Sequence, residues 1–429
     1  MKKEEILEAV KQDGYALMYA SEELRNDREI VLEAIKQNGK ALEYASEELK
    51  NDKEIVLLAV KQNGYALQYA SEELKNDKEV VLEAMRLDGA LAFASKELKS
   101  DRKIVLKAVK KDGLALKYAS EELKADKGVV LEAVKQKGEV LEYASKELRN
   151  DKEVVLKAII KNGLALCYAS EELKNDKEVV LEAVKQNGYA LEYASKELIN
   201  YKKIVLEAVQ ESGCVLNYAS EELKNDKEVV LEAVKENGYA LQYASKELKA
   251  NKKIVLRAVK IKGCSIEHAN DELKADKEVV LEAIKQNSYA LEYVDEKLQN
   301  NKEVVLKAVI RDGVILAFAS EELKNDKEVV LEAVKQNGEA LQYASKELKN
   351  DKEIVLAAIK QNKFSLQFIN KEMPEYKEIL YMCKDFLTEN KEDFYVEYGM
   401  LKSYEREDKL NQELELNNNI KPNKIRQKI

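Results

Sequence analysis

This chain of 429 residues has two prolines, no tryptophan, one histidine and four cysteines. So little proline leaves the backbone amides free for long runs of helix. The cysteines, Cys167, Cys214, Cys264 and Cys383, form no Cys-x-x-Cys pair and no dense framework. That spacing argues against a disulfide scaffold and points to a reducing, cytoplasmic setting, though export without an N-terminal signal stays open. No apolar run reaches 18 residues, and Met1–Val10 has no apolar h-region, so neither a membrane span nor a classical signal peptide is expected. A charge excess of one sign is also missing. The 72 basic and 81 acidic residues leave a net charge of −9 and are interleaved, as in Lys75-Asn76-Asp77-Lys78-Glu79. Mixed charge of this kind marks solvated helix faces and supplies no basic stripe for nucleic acid.

What is present is one motif, repeated. Asp176 to Asn200 gives its clearest copy, and about fifteen copies run end to end. The anchors are Gly14, Gly39, Gly64, Gly89, Gly113, Gly138, Gly163, Gly188, Gly213, Gly238, Gly263, Ser288, Gly313, Gly338 and Lys363. Their spacing is 25 residues, except 24 between Gly89 and Gly113. Such a period predicts an all-α solenoid of helical hairpins, each needing its neighbours to bury its apolar stripe.

Within a repeat, Asn76 reads as a helix cap, with Glu79 completing a capping box. A long helix carrying Val80, Val81, Leu82, Ala84 and Met85 follows. Asn63-Gly64 and its copies read as helix stops in the left-handed conformation. A shorter helix, Tyr65–Ala70, then leads into Ser71 and a brief turn, with 3₁₀ geometry possible because 25 residues cannot hold two three-turn helices and their loops. Glu5 stands where later repeats carry Ile or Val, as expected of a first repeat with no predecessor to cover it. From Ser95 to Ser245, Ser-Lys-Glu-Leu alternates with Ser-Glu-Glu-Leu, so the copied unit is a 50-residue pair.

The elements Asn-Gly, Tyr-Ala-Ser and Leu-Lys-Asn-Asp recur in this order from about Glu4 to Glu372. In this the chain resembles the repeat family catalogued as domain of unknown function 4116. The resemblance implies a domain about two repeats long and brings no activity or catalytic residue with it. By composition the array occupies residues 1–373. Residues 374–416 are expected to form a C-terminal helical cap, and 417–429 a disordered basic tail.

No nucleotide loop, zinc signature or nucleophile motif is present, so no cofactor, metal or catalytic residue is assigned. His268 fills a slot otherwise held by Tyr218, Tyr243 and Tyr293, with Cys264 four residues before it. A two-ligand metal site or a Cys264/His268 enzyme is the remote reading, and a flat ring in an aromatic slot the ordinary one. The ladder from Tyr19 through Tyr44 and Tyr69 to Phe368 reads as core with hydroxyls at the rim.

The informative positions are those that vary while their neighbours are copied, one and four residues after the anchor. They are Tyr15, Lys40, Glu43, Tyr65, Gln68, Lys117, Glu139, Glu142, Tyr189, Glu192, Asn217, Tyr239, Gln242 and Glu339. A core slot would not accept Lys, Glu and Tyr in turn. One exposed face is therefore expected, serving a protein partner or drifting neutrally. The leading expectation is a non-catalytic scaffold for protein partners. A spacer with no specific ligand is the alternative.

Overall fold

The computed structural model describes residues 2–87 and 90–419. Among these residues there are helices and turns and no strand, and the architecture is an all-α solenoid. Its contacts divide it into two compact bodies, residues 1–223 and 224–429. The same repeat builds both.

The copy beginning at Asp176 shows the local logic. Asp176 caps the long helix Lys177–Gln186, accepting the N–H groups of Glu178 at 2.9 Å and Val179 at 3.0 Å. The cap is thus this Asp and its equivalents, one residue later than Asn76 and its copies. Asn187 ends the helix in an extended conformation (φ −159°, ψ 111°), and its side chain accepts the Tyr189 N–H at 3.0 Å. Gly188–Tyr193 is then a 3₁₀ helix. Most repeats add a one-turn helix, such as Glu171–Lys174, before the next long helix. The short second helix of the hairpin is therefore 3₁₀ throughout, since six residues give two complete turns at three residues per turn.

The repeat glycines serve close approach. None of those described has a left-handed φ. A Cβ on Gly188 would stand 2.5 Å from the carbonyl oxygen of Ala208, in the long helix of the next repeat. Gly113 has slightly more room, 2.6 Å from the Ala133 oxygen, and faces a helix that ends early, Lys127–Val134.

Most repeats bury the same set. In the Asp176 copy it is Val179, Val180, Ala183 and Val184 from the long helix, Ala190 and Leu191 from the 3₁₀ helix, and Leu198. Glu5, by contrast, is exposed. Burial of this stripe against neighbouring repeats is the main stabilising term.

Three polar links join one repeat to the next. The backbone N–H of Ser195 donates to the Lys174 carbonyl at 3.0 Å. The Ser195 hydroxyl donates to Asn175 Oδ1 at 2.5 Å, which is the role of the Asn first read as a cap. Lys152 spans to the capping Asp176 and to Glu178, both at 2.8 Å. The same lysine link recurs as Lys53 to Asp77, Lys252 to Asp276 and Lys302 to Asp326. Where Tyr201 replaces the Asp, Lys177 lies over its ring instead, 4.2 Å from the centroid. Beyond the last repeat, Lys352 reaches Glu378 at 3.3 Å.

The segment after Pro374 forms helices Tyr376–Met382, Lys384–Glu389 and Tyr395–Asn419. Phe386 and Phe394 close on Phe364 of the last repeat, with centroids 5.2 and 5.7 Å away. The last helix runs through Asn419, past the expected start of the tail at 417. Residues 420–429 of that tail lie outside the described residues.

Candidate functional site

The 3₁₀ helix sorts its six residues by depth. The anchor and its second and third followers turn inward in most repeats, as Gly188, Ala190 and Leu191 do. The first, fourth and fifth followers stay at the surface. Among the variable positions Tyr65, Lys117, Glu139, Glu142, Tyr189, Glu192 and Asn217 are exposed. Tyr15, Lys40, Glu43, Gln68, Tyr239, Gln242 and Glu339 are half-buried, and none of the fourteen is core.

The tyrosine ladder departs from its core reading. Its members are half-buried or exposed, with Tyr19 70% accessible. Within each body they share a surface with the variable positions, because the residue after an anchor reaches the ladder ring of the next repeat. Tyr15 meets Tyr44 edge-on at 6.2 Å between centroids, and Tyr65 meets Phe93 at 5.9 Å. Tyr189 meets Tyr218 at 6.5 Å, Tyr239 meets His268 at 6.2 Å and Tyr289 meets Phe318 at 6.2 Å. Edge-to-face geometry at this distance is attractive beyond the area it covers. Tyr15 and Tyr65 are 50 residues apart, as are Tyr189, Tyr239 and Tyr289 in succession, so the aromatic pairs follow the duplicated pair of repeats. The offset between an anchor's first follower and the next ladder ring was visible in the sequence; reading each repeat by itself hid it.

Charge is interspersed on this face. Lys40 Nζ lies 5.9 Å from the Tyr65 ring centroid, and Lys117 Nζ lies 5.8 Å from that of Tyr118. Burial and the adjacent Glu43 carboxylate push the Tyr69 hydroxyl up to about 12. Burial, then Glu192, raises Tyr218 in the same way. Beside the 24-residue repeat a cleft of about 280 Å³ is lined by Tyr65, Leu91, Leu114, Lys117, Tyr118 and Tyr143, among others.

The alternation of Ser-Glu-Glu-Leu with Ser-Lys-Glu-Leu has a physical counterpart. In the first type the following lysine pairs with the glutamate, as Lys174 does with Glu171 at 2.9 Å and Lys324 with Glu321 at 2.8 Å. In the second type that glutamate is a lysine. The following lysine then turns under the 3₁₀ helix, Lys99 donating to the Ala92 carbonyl at 2.7 Å and Lys349 to that of Gln342 at 2.6 Å. Burial pushes the amines of Lys99, Lys249 and Lys349 down.

Cys264 and His268 lie in the 3₁₀ helix Gly263–His268. At three residues per turn, positions four apart point about 120° away from each other, so the spacing does not aim both at one ion. Burial lowers the His268 imidazole and raises the Cys264 thiol. Among the described residues no group of three or more His, Cys, Asp or Glu side chains is placed to hold a metal. Nor is any described helix long and apolar enough to cross a membrane.

The repeats match a known protein family. The model titled "Domain of unknown function (DUF4116)" matches in tandem over residues 2–50, 52–99, 88–124, 101–149, 126–171, 151–199, 201–249, 251–299, 301–349 and 326–373. The chain belongs to the DUF4116 family. Most single matches span two repeats, so the DUF4116 domain corresponds to the 50-residue pair already evident in the aromatic pairs. No curated protein matches the chain.

Proposed function

We propose that the DUF4116 array is a non-catalytic scaffold that holds protein partners along the face made by its 3₁₀ helices. One observation carries this reading: tyrosines recur in register at that surface, each braced by the ring of the next repeat. Tyr65, Tyr189 and Tyr289 are 44%, 44% and 42% accessible. A ring fixed by a neighbour loses little freedom on binding, and tyrosine offers apolar area with a polar tip, which suits an anchor for a partner. The residues around these rings change between repeats, which lets one frame present different chemistry along its length.

The test is affinity capture with the full chain and a Tyr189→Ala, Tyr239→Ala, Tyr289→Ala variant of unchanged helix content. Partners recovered by the native chain and lost by the variant support the reading, while equal recovery removes it. A second reading, a spacer with no specific ligand, is favoured by the polar links that tie every described repeat to the next. Deleting one 50-residue pair separates the two. A spacer keeps its attachments and changes only reach, whereas a scaffold loses the partners anchored on that pair.

A further inference from the structure

The long helices carry a second pattern, on outward positions that the aromatic face does not use. In the even-numbered repeats three exposed or half-buried positions read Glu, Glu and a basic residue with little change, as in Glu178, Glu182, Lys185 and Glu228, Glu232, Lys235. In the odd-numbered repeats the same positions vary, as in Glu153, Lys157, Ile160 and Lys203, Glu207, Gln210. Two repeats of the fifteen make all three basic: Lys103, Lys107, Lys110 and Lys253, Arg257, Lys260. Spaced at i, i+4 and i+7, each set lines one side of its helix over about 10 Å.

The second stripe borders a groove. Helices Lys227–Glu236 and Lys252–Ile261 lie side by side, and between them is a hollow of about 710 Å³. Leu231 and Leu256 are half-buried in it, and Lys235, Lys253, Arg257 and Lys260 stand around them. Among the described residues no carboxylate lines the hollow. Lys235 is balanced by Glu232 at 2.6 Å, and Lys252 by Asp276 and Glu278 at 2.7 and 2.8 Å. Lys253, Arg257 and Lys260 are exposed and make no ion pair among the described residues. These three unmatched cations sit beside two leucines on a chain whose net charge is −9.

We propose that this groove docks an acidic amphipathic segment of a partner protein. Its carboxylates would meet Lys253, Arg257 and Lys260, and its apolar side chains would cover Leu231 and Leu256. Charge complementarity selects the sign of the partner. Arg257 adds a planar fork suited to a carboxylate. The half-buried leucines select a peptide over a polyphosphate, which gains nothing from an apolar floor. Acidic residues also bracket the stripe, Glu232 on one side and Glu278 and Glu282 on the other, and they limit how far a nucleic acid or anionic membrane could lie across it.

The test is fluorescence anisotropy with the full chain and a labelled helical peptide of about 16 residues, carrying glutamates at i, i+4 and i+7 and leucines on the adjoining stripe. Lys253→Glu with Arg257→Glu installs the residues that the even repeats already carry there, so the variant retains its fold. It is expected to weaken binding about tenfold or more. The control, Lys246→Glu with Lys346→Glu, changes net charge equally at positions where sister repeats hold Glu, and is expected to leave binding unchanged. The Tyr189, Tyr239, Tyr289 triple alanine variant should also leave this binding unchanged, which separates the groove from the aromatic face. Several outcomes would overturn the proposal: equal binding of a scrambled peptide, undiminished binding by the double variant, or preference for an oligonucleotide or a phosphatidylglycerol vesicle. Self-association abolished by the same double variant, with no peptide bound, would also overturn it by assigning the groove to a second copy.

Discussion

Gly188 faces the carbonyl of Ala208 so closely that a methyl group on it would lie 2.5 Å from the oxygen. Both partners are backbone, so neither yields cheaply. Gly188→Ala is expected to destabilise the chain by about 1–3 kcal/mol through overpacking. Gly399 provides the contrast. It lies within helix Tyr395–Asn419 with nothing within 4 Å of an added Cβ, so Gly399→Ala is expected to be stabilising by about 0.5–1 kcal/mol. Urea midpoints of the two variants check both signs.

Acid should loosen the array, while neutral pH leaves it intact. Burial would raise the Asp176 carboxyl, but the Lys152 ammonium and the Val179 and Glu178 amides outweigh it and hold the group below the usual carboxylate range. Asp77, Asp276 and Asp326 are lowered by equivalent groups. A carboxyl depressed in the folded state adds stability above its unfolded value, and that stability is lost as pH falls through the folded value. The loss should therefore begin below about pH 4 and deepen further down. Circular dichroism against pH, compared between the native chain and Asp176→Asn, should show a smaller acid loss in the variant.

Tyr201 interrupts the lysine-to-aspartate series, and its helix Lys202–Glu211 has no side-chain cap. Tyr201→Asp would supply the cap, about 0.5–2 kcal/mol. It would also exchange the Lys177 cation–π contact, worth about 0.5–1 kcal/mol at an exposed site, for an ion pair. A modest rise in thermal midpoint is expected, and a fall would show that the ring packs better than its partners suggest.

Lys349 is expected to change partners when Lys346 becomes Glu. Burial lowers its amine where it donates to the Gln342 carbonyl. Lys346→Glu recreates the Ser-Glu-Glu-Leu-Lys sequence in which Lys324 pairs with Glu321. The Lys349 titration, followed by NMR at its ε-carbon, should then move to higher pH.

The solenoid and its core were legible because both depend on period alone. Val179, Val180, Ala183 and Leu191 recur wherever the motif does, and burial follows. What was misread depends on contacts made about twenty residues or more away. Asn175 and Asp176 are both competent caps; only the position of Ser195, a repeat later, shows why the Asn is needed elsewhere. Gly188 looked like a helix stop because the Ala208 carbonyl cannot be seen locally. The tyrosine ladder looked like core because its spacing is regular. At three residues per turn Tyr193 shares its side of the helix with the inward Ala190, yet it ends the 3₁₀ helix and is left half-buried there.

The lysine link has a direction. Lys152 looks forward to Asp176, and Ser195 looks back to Asn175, so the leading and trailing sides of a repeat are complementary to each other and not to themselves. A further 50-residue pair copied into the array arrives with both halves of its junction already made. The same property makes a cut array adhesive. A fragment cut inside the series at both ends is expected to expose a trailing side that fits the leading side of another such fragment, and head-to-tail contacts of that kind propagate as fibres unless something closes them.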